Sequence, residues 1–294
     1  MKEILKDNMN GKICLVTGAT NGIGKATAQV LAQMGATVVI VGRDPAKCAA
    51  VVEEIKQISG NNAVEALVAH LSIMAEVRQV ADQFKAKYQK LHVLVNNAGG
   101  AFWKRQVTSE GFEKTFALNH LNYFLLTNIL LDTLKASAPA RIVNVSSDSH
   151  KGAHLDFDDL QSEKVSLAYG RSKLANVVFS YELARRLSGT GVTVNVLHPG
   201  WVRTGFANNL GAVPSVALGF FMRFVGLTPE QGAQTSVYLA TSPDVQNVTG
   251  KYWEKSKAVP SGRAAYDKTI WTRLWEVSDQ LVAARAIASK ADTL

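Results

Sequence analysis

The stretch "SLAYGRSKLAN", residues 166 to 176, sets Tyr169 four places before Lys173. On a helix, side chains four apart share a face. A phenol with an ordinary pKa of about 10 is a poor base at neutral pH, and a neighbouring ammonium favours its ionised form. The spacing thus describes an acid–base pair, provided that the helix turns this face toward a binding cleft. Turned the other way, the two residues are an exposed aromatic beside an exposed charge.

A second candidate is "LVTGATNGIGKATAQVLAQMGA", where an apolar run leads into Gly18, Gly22 and Gly24 and then into an amphipathic stretch. Glycine lets the backbone turn sharply and approach a pyrophosphate, while the N–H groups and positive dipole end of the following helix attract its charge. Thr20, Asn21 and Ile23 lie in the same turn and join the three glycines as candidate dinucleotide contacts. A P-loop is excluded, because it would need glycine at Ala19 and Ser or Thr at Ala26. The G-x-x-x-G-x-G spacing also differs from G-x-G-x-x-G.

The next apolar run ends Val41, Gly42, Arg43, with no acid before Asp44, which is better placed as a helix cap. A cation at this point suits the extra phosphate of NADP(H), whereas an NAD(H) site presents an acid to the ribose hydroxyl. Arg43 therefore points to NADP(H) rather than NAD(H). A solvated surface arginine is the alternative.

These groups need elements to hold them. Strand candidates are "KICLVTG", "TVVIVG", "AVEALVAHL", "LHVLVNN", "RIVNVSS", "TVNVLHPG" and the weaker "GKYWE", with long amphipathic stretches between them. Runs rich in Val, Ile and Leu without polar alternation are expected of strands covered on both faces. The pattern predicts one α/β domain, a doubly wound parallel sheet of about seven strands flanked by helices, with its core at about residues 10 to 255. In "RDPAKCAAVVEEIKQISG", Asp44 can cap, Pro45 opens the helix and Gly60 ends it. In "TPEQGAQTSVYLATS", Thr228 and Gln231 make a capping box.

Residues 206 to 227, with Phe206, Phe220, Phe221 and Phe224, break this rhythm and read as a substrate-covering segment or a buried core helix. Residues 256 to 294 form a C-terminal extension, helical around Ile270, Leu274, Trp275, Val277 and Leu281.

Composition narrows the classes. The 294 residues are 47% hydrophobic and 19% charged, enough apolar material for a large core. The net charge of +8 is spread along the chain without a basic run, which argues against a nucleic-acid partner. Two cysteines do not make a disulfide scaffold, and a reducing compartment fits them. The N-terminus "MKEILKDNMNGK" is polar, and no stretch reaches about 18 uninterrupted apolar residues. A cytoplasmic protein with no integral membrane segment is expected.

The ordered set "TGATNGIG", "NNAG" at 96 to 99, "NVSS" at 144 to 147, "YGRSK" at 169 to 173 and "HPGWVRT" at 198 to 204 resembles the short-chain dehydrogenase/reductases. The likeness runs from about residue 10 to 255, and "LNHLNYFLLTNILL" and "RLWEVSDQLV" are similar to the retinol dehydrogenase branch and to the WW-domain-containing oxidoreductases. It implies a Rossmann-type fold and a catalytic tetrad of Asn119, Ser147, Tyr169 and Lys173, with Ser147 preferred to its neighbour Ser146. It further implies that Asn96, Ala98 and Gly99 line the adenosine side of the cofactor. Val202 and Thr204, after Pro199 and Gly200, would hold the nicotinamide carboxamide. Where relatives place an aspartate against adenine, this sequence has His70, followed by Leu71, which keeps the pattern. Homo-oligomers built through the helices bearing Asn119 and Tyr169 are also implied.

The expected activity is NADP(H)-dependent interconversion of an alcohol with its aldehyde or ketone, on an apolar substrate. Ser147, at a strand end, can donate a hydrogen bond where charge develops on the substrate oxygen. Asn119, an amide in an apolar helix, needs partners and could serve a water relay from Lys173 or mark a helix kink. No paired metal-ligand spacing occurs among the histidines and cysteines, and no G-x-S-x-G surrounds Ser147. Two rivals remain at this stage: a sugar-nucleotide epimerase or dehydratase, which would need a longer C-terminal domain, and a silent NADP(H)-sensing interaction protein.

Overall fold

The computed structural model describes residues 8–102, 104–202 and 226–291, with side chains as far as residue 284. Thr204, the four phenylalanines of the expected covering segment and most of that segment lie outside the described residues.

Eight strands form one sheet: β1 (Ile13–Thr17), β2 (Thr37–Gly42), β3 (Val64–Val68), β4 (Val93–Asn96), β5 (Ala140–Val145), β6 (Val192–His198), β7 (Lys251–Glu254) and β8 (Lys257–Val259). Their order is β3-β2-β1-β4-β5-β6-β7-β8, parallel throughout except for the antiparallel β8. The chain winds outward from β1 to β3 and returns to β4 on the other side of β1. Leu15 of β1 is accordingly in register with both Val39 of β2 and Leu94 of β4. At such a reversal the connections leave in opposite directions, so a crevice opens at the carboxyl ends of β1 and β4.

Alternation along the strands sorts side chains into two cores. Leu15, Val39 and Val41 enter one cluster, while Cys14, Val16, Val38 and Ile40 enter the other. The first is covered by α3 (Met74–Lys87), α5 (Asn122–Ile129) and α7 (Val165–Arg186). The second is covered by α1 (Gly22–Gln33), α2 (Pro45–Ser59) and α8 (Pro229–Thr241). On the first face α5 is preceded by α4 (Lys114–Phe116) and a π-helical turn at Ala117–Leu121 and followed by α6 (Leu131–Lys135).

The helix ends follow the sequence signals. Asp44 accepts from the Lys47 N–H, Pro45 opens α2, and Gly60 closes it at φ 68°. Thr228 and Gln231 exchange both bonds of a capping box at α8. The eighth strand was not expected. It is three residues long, and the turn before it places Lys255 and Ser256 at φ 49° and 58° without the glycine or asparagine that usually marks such a hairpin.

The last helix, α9 (Lys268–Ala291), lies against α7 and α5. Trp275 packs on Phe124 of α5 and Phe179 of α7, with ring centroids 4.9 and 5.9 Å away, and the Arg186 guanidinium stands 4.1 Å from its ring. Arg78 of α3 donates to the Val282 carbonyl at 3.0 Å. The faces of α5 and α7 that carry Phe124 and Phe179 are thus covered by the chain's own C-terminal helix.

Candidate active site

The crevice at β1 and β4 is built from loops clamped to each other. Thr17, fully buried at the end of β1, accepts through Oγ1 from the N–H groups of Asn97 and Ala98 at 2.9 and 3.1 Å. The Asn97 amide donates to the carbonyls of Thr17 and Gly18 at 2.9 and 3.1 Å. A Cβ on Gly18 would lie 2.7 Å from Ala98 Cα, and one on Gly24 would lie 2.5 Å from the Gly18 carbonyl oxygen. Gly18, which adopts φ 64°, and Gly24 are therefore required by close approach of backbone to backbone. Thr17 and Asn97 hold the two loops together, which was not read from the sequence. The signal was present in "LVTG" and in the second asparagine of "NNAG".

Helix α1 starts at Gly22, and the residue before it, Asn21, makes no side-chain cap. The first turn thus presents its N–H groups and positive dipole end to the crevice. Ile23 reaches the neighbourhood of Val202, since a Cβ on Gly232 of α8 would touch both. Val202 is held by a parallel bridge to Leu227, and the Trp201 carbonyl accepts from the Leu227 N–H at 2.7 Å. Gly200, just after Pro199, turns at φ 86°, and Trp201 is 71% exposed.

Gly42 packs so closely on Thr20 that a Cβ would fall 2.3 Å from Thr20 Cγ2, which puts the glycine loop against the end of β2. Arg43 follows, exposed. His70 lies close enough to Arg43 and Lys114 for both cations to lower its pKa, after burial as the main cause. Leu71 is buried in the core.

The opposite wall carries the tetrad candidates. Ser146 and Ser147, which follow β5, have different fates: Ser146 is buried and donates to the Lys173 carbonyl at 2.7 Å. Ser147, half-buried, hydrogen-bonds with the Tyr169 phenol, an interaction that lowers the tyrosine's pKa. One turn along α7, the Lys173 ammonium nitrogen is buried, 5.8 Å from the Tyr169 ring centroid and 5.9 Å from that of Tyr123. It donates to the Val145 carbonyl at 3.1 Å.

Burial pushes Lys173 down to about 7 and pushes Tyr169 up, against the Ser147 hydrogen bond. Burial thus disfavours the charged form of both groups, and a hydrogen-bond donor or positive charge beside the phenol favours its phenolate.

Asn119 sits in the π-helical turn Ala117–Leu121, where the widened backbone brings its amide to the cleft. Its Oδ1 accepts from the Gly100 N–H at 2.8 Å, and its Nδ2 donates to the Gly100 carbonyl and to Ser172 Oγ, both at 2.9 Å. A Cβ on Gly99 would come within 3.0 Å of Asn119 Oδ1 and 3.2 Å of Lys173 Nζ. The "NNAG" loop, the π turn and α7 thus meet at one point. The Asn96 side chain points the other way, its amide nitrogen donating inward to Thr127 Oγ1 and Asn144 Oδ1 at 3.0 and 2.9 Å.

A glycine-cradled, uncapped helix start faces a Ser–Tyr–Lys cluster across the crevice, and this donor set fits a pyrophosphate-linked dinucleotide. No group of three or more metal-ligating side chains occurs among the described residues. Nor does any helix there have the length and apolarity to cross a membrane.

A family model for short chain dehydrogenases matches residues 12–214. Human retinol dehydrogenase 13 is 42% identical over 289 residues, covering 96% of this chain and 87% of that protein. Human polyprenol dehydrogenase is 40% identical over 279 residues, covering 92% and 84%. Among solved structures, the RhlG/NADP active-site complex of Pseudomonas aeruginosa aligns with a TM-score of 0.67 at 30% identity, covering 88% of this chain and 98% of that one. With its fold, its crevice and these relatives in agreement, the chain belongs to the short-chain dehydrogenase/reductase family of oxidoreductases and is retinol dehydrogenase-like.

Proposed function

We propose that the protein is an NADP(H)-dependent oxidoreductase that interconverts an apolar alcohol with its aldehyde or ketone, with Tyr169 as the general acid and base. The observation that carries this reading is the hydrogen bond between Tyr169 and Ser147 beside the buried Lys173 ammonium, at the mouth of a dinucleotide-type crevice. The nicotinamide cofactor would supply or accept the hydride.

The remaining work falls to the chain's own side chains. Gly18, Gly22 and Gly24 with Thr20, Asn21 and Ile23 would cradle the pyrophosphate, and Arg43 would pair with the 2′-phosphate. Ala98, Gly99, Pro199, Gly200 and Val202 would line the nucleotide, with Thr204 beyond the described residues. On reduction, Tyr169 Oη gives its proton to the carbonyl oxygen while Ser147 Oγ donates a hydrogen bond to the same oxygen. Lys173 lowers the cost of the phenolate that remains, and Asn119 fixes the Gly100 turn beside the ammonium and supports proton return.

Relatives named for retinol and polyprenol support an apolar substrate. Two buried, free cysteines suit a reducing cytoplasm. Any homo-oligomer would have to use surfaces other than those covered by α9.

The test is consumption of NADPH and NADH by wild type and Tyr169→Phe over a panel of apolar aldehydes and ketones. The expected result is preference for NADPH and a fall of about 10²–10⁴-fold in kcat for the variant. Equal turnover by Tyr169→Phe would refute the assignment, and NADPH binding without turnover by wild type would favour a sensor.

A further inference from the structure

The turn that follows Ser147 contains a buried group that the mechanism above does not use. His150 is fully buried at the end of the short 3-10 turn Asp148–His150. Its Nδ1 lies 2.7 Å from the Ser147 carbonyl oxygen, and its Nε2 receives the Gly262 N–H at 2.8 Å. A carbonyl only accepts and an amide N–H only donates, so the ring must carry its single proton on Nδ1.

We propose that His150 is a positioning residue for the reaction: it fixes Ser147 by tying the serine's carbonyl to the C-terminal turn at Gly262. The proposal rests on the reading of Ser147 as a catalytic group.

Three observations make the tie specific. The far end is anchored, because Ser261 accepts the Tyr181 hydroxyl of α7 at 2.8 Å and its N–H donates to Tyr266 at 3.0 Å. The approach leaves no space, since a Cβ on Gly262 would lie 2.9 Å from Lys151 Cα and 3.3 Å from His150 Cδ2. The ring also packs on Tyr252 of β7 in a tilted pair, with centroids 4.7 Å apart.

Charged and titratable groups around it are Asp148 and Lys151 from its own turn, His198 from β6 and Tyr252 from β7. Burial outweighs them and holds His150 below its ordinary pKa, so the neutral ring persists at assay pH. A proton on Nε2 would set two N–H donors against each other and release the turn. Ser147 has its Oγ near the turn's own N–H at Ser149, 3.3 Å away, so a shift of the turn displaces the hydroxyl that faces Tyr169.

The test uses the full chain. Nitrogen-15 NMR of histidine-labelled wild type, with His150 assigned by difference from His150→Asn, should show a neutral Nδ1–H ring at neutral pH. An Nε2–H ring or a cation there overturns the proposal without reference to turnover. Kinetics supply the second arm. His150→Phe, which keeps the packing and loses both bonds, should lower kcat about 100-fold, since misplacement of a reacting group by about 1 Å costs that much. His150→Asn, which keeps a donor toward Ser147, should recover about tenfold of that loss. Gly262→Ala, which displaces the turn from outside the cleft, should resemble His150→Asn. NADPH affinity, read by fluorescence, should be unchanged in all three.

Wild-type kcat in variants that bind NADPH normally would sink the idea, as would equal losses of kcat and NADPH affinity. If His150→Phe does not fold, the tautomer and the other two variants decide. A wild type that binds NADPH and reduces nothing fails the enzymatic reading itself and takes this proposal with it.

Discussion

The two walls of the crevice are made differently. On the wall formed by β1, β2 and α1, the groups offered to a dinucleotide are backbone N–H groups and an exposed arginine, over a small polar clamp made by Thr17 and Asn97. On the wall formed by β5, α7 and the π-helical turn, the candidate catalytic groups surface from a buried polar network. Asn96 bonds to Thr127 and Asn144, Asn144 to Ser180, and Lys173 to the Val145 carbonyl. Binding on the first wall is close to a surface property, whereas chemistry on the second is continuous with the core. Exposed charges can change without loss of fold, but buried polar groups cannot lose a partner cheaply.

The strongest break in this contrast comes from Lys173→Met. Turnover should fall about 10²–10⁴-fold, yet the thermal midpoint should hold or rise, because burial disfavours the lysine's charged form. A large drop in midpoint would show that the ammonium contributes to stability. Asn119→Ala should move both quantities together. It leaves the buried Gly100 N–H and carbonyl without partners, at about 2–4 kcal/mol, and loosens the turn beside Lys173, at about a hundredfold in kcat. Denaturant melts and steady-state kinetics on one preparation would check it.

Arg43→Ala should show the opposite behaviour. Loss of a charge-assisted phosphate contact predicts a rise of about 10–100-fold in KM for NADPH, none for NADH, and an unchanged melt. Unaltered nucleotide preference would remove Arg43 from the site.

The most gradual expected effect, spread over about three pH units, is on stability against pH. The folded pKa of Lys173 is depressed to about 7 from an unfolded value of about 10.4, so the unfolded chain binds more protons between those limits. Stability of the nucleotide-free protein therefore rises from pH 7 toward 10, by up to about 1.4 kcal/mol per pH unit, and falls back as pH drops to 7. The difference between wild-type and Lys173→Met melts across this range isolates the contribution, and a flat difference would contradict the depressed value.

The nucleotide wall was the more legible of the two in the sequence. Glycine spacing, the Asp44 cap, the Gly60 stop and the Thr228 capping box are local signals, and each appears where its residues place it. Seven strands could be read from their apolar runs, but β8 could not, because its hairpin uses Lys255 and Ser256 at positive φ instead of a recognisable turn pair. Ser147 could be chosen over Ser146 only by resemblance. In the structure the Ser146 hydroxyl turns to the Lys173 carbonyl and the Ser147 hydroxyl to Tyr169. Adjacent strand-end residues point to opposite sides, which a motif does not display: the Asn96 amide donates to Thr127 and Asn144, whereas Asn97 faces the loop.

The sequence by itself determined the doubly wound architecture, the glycine-lined start of α1 and the one-turn spacing of Tyr169 and Lys173, since periodicity, turn chemistry and helical pitch act over a few residues. Only the tertiary structure decided that Asn119 enters the cleft through a π-helical turn, that α9 closes the face left by α5 and α7, and that burial sets the charge of Lys173. Those outcomes depend on which distant surfaces exclude water from one another, and no local stretch of chain encodes that.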